Sequence, residues 1–117
     1  MSGRVSLPPG LALCSIAELD ASGARGVELE HDGRLFDVVV VATAAGPRAY
    51  HNSCPHQGTP LEIFPHRFLT RDGQRLLCAT HGAEFTLDEG ICVRGPCKGQ
   101  ALVAMAVGVE DGVITSA

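Results

Sequence analysis

Two short segments constrain this chain more than any other feature: Cys54-Pro55-His56-Gln57-Gly58 and Cys78-Ala79-Thr80-His81-Gly82. Each supplies one thiol and one imidazole, then a glycine, and 21 residues separate His56 from Cys78. Thiolates and neutral imidazoles are metal ligands. Two loops of this form can grip one compact inorganic centre from two sides, with each glycine letting the backbone turn sharply and bring N–H groups close. The fold must therefore carry two loops, distant in sequence, to one place. A structural zinc site draws on the same ligand types. Zinc motifs, however, usually pair Cys with Cys and His with His at each end, which is not the order here.

The rest of the chain reads as a β scaffold for those loops. Aromatic residues are few, with four Phe, one Tyr and no Trp among 117 residues, so the core must come from Val, Leu, Ile and Ala. That mix, with 14 Gly and 7 Pro, favours short strands and many turns. Strands are expected at residues 11–16 and 26–31. Another is expected at 35–43, where Val38-Val39-Val40-Val41 marks a buried strand by its β-branching. A short strand at 48–51 leads into Cys54. Residues 52–65 carry Pro55, Gly58, Pro60 and Pro65, a loop composition. Hairpin turns fall at Asp32-Gly33, Arg71-Asp72-Gly73, Asp88-Glu89-Gly90 and Glu110-Asp111-Gly112. These predict flanking strands at 67–70 with 74–79, 84–87 with 91–93, and 102–109 with 113–115. One helical turn is expected at residues 15–19. The sum is an all-β chain of nine or ten short strands, one domain over residues 1–117. Its turn-rich part, about 51–97, is inserted between β-rich ends that pair with each other.

Charge and hydropathy exclude some functions. Nine basic against thirteen acidic residues give a net charge of −4, which argues against nucleic acid and against an anionic membrane surface. Residues 1–10 lack the apolar run of a signal peptide, and no stretch approaches the ~18 apolar residues of a membrane span. The expectation is a cytoplasmic protein, in which five Cys serve as ligands or small hydrophobes before they serve as disulfides.

Cys-x-His, a spacer, and Cys-x-x-His resemble the Rieske [2Fe–2S] family, and the flanking β pattern agrees with that family's fold. The resemblance implies an antiparallel, β-sandwich-like base with an inserted cluster-binding subdomain. It implies one [2Fe–2S] cluster, with Cys54 and Cys78 on one iron and His56 and His81 on the other. Charge counting explains the mixed ligands. Two ferric ions, two sulfides, two thiolates and two neutral imidazoles sum to zero, whereas four thiolates would leave the site at −2. An electron enters a neutral centre more readily, so imidazole ligation raises the reduction potential.

Within the family, respiratory members place a disulfide across the ligand loops, where this chain has Thr59 and Thr80. They also place Ser and Tyr hydroxyls after the second loop, where this chain has Ala83 and Phe85. Donors near a sulfur stabilise the reduced state, so their loss implies a potential at the low end of the family, about −150 mV. Oxygenase large subunits carry a second iron, but the 36 residues after His81 hold no His to ligate one. The implied role is a one-electron carrier rather than an enzyme. It would be the ferredoxin component of a multicomponent, aromatic-ring-hydroxylating type of oxygenase, passing electrons from a flavin-dependent reductase to a terminal oxygenase, monomeric when free. The alternative is a small subunit of assimilatory nitrite reductase. An interaction module without a cluster is the third reading.

Other residues have plainer roles. Gly95-Pro96 resembles the family's proline-bearing loop that covers the cluster from a third side. Cys92 and Cys97 lack further ligands for a second metal and read as buried small hydrophobes, as does Cys14. His31, His51 and His66 read as surface or hydrogen-bonded histidines. Leu61 and Pro60 read as apolar cover near the cluster.

Overall fold

The computed structural model describes residues 8–55, 61, 67–79 and 82–117. Among these are ten strands and one helix. In chain order they are β1 (Ala12–Ser15), α1 (Ile16–Ser22), β2 (Ala24–His31), β3 (Arg34–Thr43), β4 (Gly46–His51), β5 (Arg75–Leu77), β6 (Glu84–Thr86), β7 (Cys92–Arg94), β8 (Ala104–Met105), β9 (Val107–Glu110) and β10 (Val113–Ser116). They form three antiparallel sheets, ordered β1-β10-β9, β2-β3-β4-β8 and β5-β6-β7. The all-β expectation holds, and the two ends of the chain do pair, with Ala12 opposite Thr115.

The central sheet is a shared wall. Val38, Val39, Val40 and Val41 are all fully buried. Side chains alternate sides along a strand, so a run buried at every position needs a core on each face. Val38 and Val40 pack with Leu13, Leu19, Phe36 and Ile114 against the first sheet and α1. Val39 and Val41 pack with Tyr50, Phe68, Leu76 and Phe85 on the other side. That second core also holds Cys54, Cys78, Cys92 and Cys97.

Local chemistry sets the element ends. Asp32-Gly33 and Asp111-Gly112 each have two consecutive positive φ angles, 54° and 76°, then 50° and 76°. Two such residues make the tight hairpin turn whose twist matches its strands. The helix is longer than the single turn expected. Ser15 and Glu18 form a reciprocal capping box that satisfies two N–H groups at its start, and its last residues close on Gly23.

Three expected strands differ. Residues 102–109 were expected as one strand but divide in two: β8 pairs with β4 in the central sheet, while β9 pairs with β10 in the first. The chain changes sheets there, a step that hydrophobic alternation alone does not announce. Residues 67–70 meet β5 through an isolated bridge, Leu69 to Leu76, and two flanking bonds, Thr70 N–H to the Arg75 carbonyl at 2.8 Å and Leu77 N–H to the Phe68 carbonyl at 2.7 Å, while β6 takes the other edge of β5. Residues 91–93 contribute a bridge at Ile91 and then β7 from Cys92.

Candidate metal centre

The first ligand loop leaves the central sheet at the end of β4. His51 donates its backbone N–H to the Val103 carbonyl at 2.8 Å, which fixes that end. Asn52 follows and is buried, with its side chain hydrogen-bonded at both ends. Its backbone N–H reaches the Asp37 carbonyl at 2.9 Å and its Nδ2 reaches Asp37 Oδ1 at 3.2 Å. Its Oδ1 accepts the Leu61 backbone N–H at 2.7 Å. A buried amide with these partners is a rigid strut, because an unpaired one would lose its hydration without return. Cys54, two residues on, is 1% exposed.

The second loop begins where β5 ends. Cys78 is 0% exposed. Its backbone N–H donates to the Ala83 carbonyl, and Gly82 N–H donates back to the Cys78 carbonyl, both at 2.8 Å. These bonds tie Cys78 to Gly82 and Ala83 at the edge of the third sheet. The two loops are tied directly: Ala79 N–H donates to the Leu61 carbonyl at 2.9 Å, and Leu61 in turn holds Asn52. Leu61, expected as apolar cover, is fully buried in the same core as both thiols. Its role as a backbone link between the loops had no signal in the sequence.

The loop after β7 closes on the second ligand loop. Gly95 has φ +104°, and a Cβ there would stand 2.8 Å from Ala83 Cα. Any side chain at 95 would collide with backbone, so the approach requires glycine. Ala83 and Phe85 are both fully buried and bring no hydroxyl to the site. On the far side, the Tyr50 hydroxyl donates to the Leu87 carbonyl at 2.8 Å, and burial pushes its pKa up to about 12. The same loop brings in Cys97, whose Sγ donates to Cys92 Sγ at 3.0 Å and which lies in the same core as Cys54. Burial first, then these sulfur neighbours, push the Cys97 thiol up to about 12. Both sulfurs are almost fully buried, as expected of small hydrophobes. Their gathering into one core with Cys54 was not foreseen. The sequence signal for it was Cys97 directly after Gly95-Pro96.

The two described thiols suit half of the donor set that a [2Fe–2S] cluster takes. Two thiols on separate loops are buried in one core, no disulfide joins them, and a backbone bridge holds the loops together. His56 and His81 lie outside the described residues, as do Thr59, Pro60, His66 and Thr80. Among the described residues, no three His, Cys, Asp or Glu side chains converge on a metal position. Cys54 and Cys78 are half of the expected set.

The model of the Rieske [2Fe-2S] domain matches residues 11–110. The chain belongs to the Rieske [2Fe–2S] family. Membership brings one [2Fe–2S] cluster, and the matched residues span both ligand loops and the sheets around them. Solved Rieske structures share the fold. The ferredoxin of carbazole 1,9a-dioxygenase from Nocardioides aromaticivorans IC177 matches with a TM-score of 0.69 at 21% identity, over 95% of this chain and 98% of that one. The Sphingomonas yanoikuyae B1 ferredoxin matches with a TM-score of 0.67 at 22% identity, over 91% and 95%. A cyanobacterial plasma membrane Rieske protein from Synechocystis PCC 6803 matches with a TM-score of 0.66 at 21% identity, over 92% and 99%. Comparison with curated proteins by sequence finds no match. Among the described residues of this Rieske domain, no helix is long and apolar enough to cross a membrane.

Proposed function

We propose that this Rieske domain is a one-electron carrier, the ferredoxin component of a multicomponent oxygenase of the aromatic-ring-hydroxylating type. It would accept electrons from a flavin-dependent reductase and deliver them to a terminal oxygenase. Cys54 and Cys78 would hold one iron, and His56 and His81 the other. When bound, the cluster supplies a site that takes up and gives back a single electron. The chain's own residues supply the rest. Asn52 and Leu61 fix the distance between the loops, and Leu61, Phe85 and the 95–97 loop exclude water from the two thiols. The burial of Cys54 and Cys78 in one core, on loops tied through Leu61, carries this reading. Ala83 and Phe85 favour a low potential, suited to a ferredoxin rather than to quinol oxidation, because they leave the reduced state without hydroxyl donors. Likeness to the carbazole dioxygenase ferredoxin, whose length this chain matches almost end to end, supports the oxygenase role.

Protein purified without oxygen should contain two irons and two acid-labile sulfides per chain. Its reduced form should give an anisotropic EPR signal, and it should pass electrons from a flavin reductase to an aromatic-ring oxygenase. Purified protein carrying zinc, or a reduced cluster that no oxygenase accepts electrons from, would overturn the respective half of this proposal.

A further inference from the structure

We infer that Cys92 and Cys97 are a reversible dithiol–disulfide pair, and that closing the bond fastens the loop at 94–100 over the second ligand loop. The pairing is independent of the ligand roles proposed above. Its effect on iron retention rests on them.

Cys97 Sγ donates to Cys92 Sγ at 3.0 Å, and both thiols are free. A disulfide bond is about 2.05 Å long, so the two sulfurs need approach by only about 1 Å. Backbone bonds hold the chain around Cys97 against Cys92. Cys92 N–H donates to the Gln100 carbonyl at 2.8 Å, Gly99 N–H to the Cys92 carbonyl at 3.0 Å, and Gln100 N–H to the Cys97 carbonyl at 2.8 Å. Closing the bond gives up the Cys92 thiol's contact with the Arg94 carbonyl at 3.2 Å, and a thiol is a weak donor.

Among residues 94–100, Cys97 alone is buried, and the three residues on each side of it are exposed. Cys97 is thus the one side chain that anchors this loop in the core, and its sulfur partner is Cys92. A loop held by so little apolar contact opens locally at low cost. The closed pair is 1% and 2% exposed, so an oxidant reaches it only when the loop lifts. The Cys97 thiolate then attacks a small disulfide such as oxidised glutathione, forming a mixed disulfide and releasing one reduced glutathione. The Cys92 thiolate attacks the Cys97 sulfur and expels the second. The two protein thiols lose two electrons and two protons, and one oxidised glutathione gains them. In a reducing compartment the pair stays open, and it closes when the thiol pool turns oxidising.

The consequence lies two residues away. A Cβ at Gly95 would stand 2.8 Å from Ala83 Cα, and the Ala83 carbonyl accepts the Cys78 N–H at 2.8 Å. A loop fastened at Cys97 is therefore fastened against the residue that holds Cys78.

The test equilibrates the loaded protein, without oxygen, in glutathione buffers from reducing to oxidising, then traps free thiols by alkylation and maps the peptides by mass. Two thiols should disappear together in one Cys92–Cys97 bond and return on reduction. The oxidised form should release iron to a chelator about three- to tenfold more slowly than the reduced form, because the loop no longer lifts. Oxidation should not change iron release in Cys97→Ser or Cys92→Ser. Free thiols at both positions in every buffer, or glutathione held at either one without an internal bond, would overturn the pairing. Equal release from the two wild-type forms would overturn the fastening, and that comparison needs no variant. Wild-type protein that holds no cluster overturns the ligand reading instead, while the peptide map of the same protein still decides the pairing.

Discussion

The two faces of β3 carry the same residue under the same burial, yet they serve different ends. On one face, Val38 and Val40 meet strands and a helix: β1, β10 and α1. On the other, Val39 and Val41 meet a core built in part from loops, with Leu61, Phe68, Cys97 and Leu102 among its members. The first core has one cysteine and the second has four. The first core is held by ladder hydrogen bonds between regular strands. The second owes its shape to single contacts between loops, such as Asn52 to Leu61 and Leu61 to Ala79. A β scaffold can thus be stable on one side while the other side is free to be shaped around an inorganic centre.

The largest expected effect tests whether the two cores are separable. Cys54→Ser and Cys78→Ser should each abolish the normal cluster spectrum and iron content, while far-UV circular dichroism keeps the β signature of the base. Collapse of that signature would show that the first core depends on the second. Next is Gly95→Ala, which combines a strained φ of +104° with a collision at 2.8 Å. It should cost about 2–3 kcal/mol in urea unfolding of the loaded protein and speed cluster loss, because the loop must lift from Ala83. A paired test then sharpens the comparison. Val39→Ala and Val40→Ala should each destabilise by about 2 kcal/mol, but only Val39→Ala should accelerate release of iron to a chelator. Equal release rates would show that the wall transmits strain across both faces.

The smallest effect concerns pH. Tyr50 has its pKa raised from 10.0 to about 12 by burial. Its folded state therefore favours the neutral phenol. That contribution is fully present below about pH 10 and is lost as pH rises through about 12. Wild-type stability should fall across this window. Tyr50→Phe should flatten the fall while losing about 1 kcal/mol at neutral pH, because the Leu87 carbonyl loses its donor. An identical alkaline decline in both proteins would assign it to other groups.

Much of this was legible in the sequence for local reasons. Asp-Gly pairs demand positive φ and announce hairpins at 32–33 and 111–112. The four valines announce a strand buried on both sides. The Cys and His segments announce a metal centre because few other purposes bring those side chains together at that spacing. Cys14 was expected in a core and lies in one. The capped helix was only half visible, since Ser15 and Glu18 mark its start while its seven residues depend on the docking of Leu19.

What tertiary structure decided was which distant groups meet. Alternation fixes that Val39 and Val40 point apart but not which core each one meets, because a period of two carries no partner identity. The break of 102–109 between two sheets follows from competition between β4 and β10 for the same segment, and each pairing is long-range. The strut from Asn52 through Leu61 to Ala79, and the gathering of Cys97 and Cys54 into one core, join residues many positions apart. Residue types and their spacing named the candidate ligands. Only the packing of three sheets set what surrounds them.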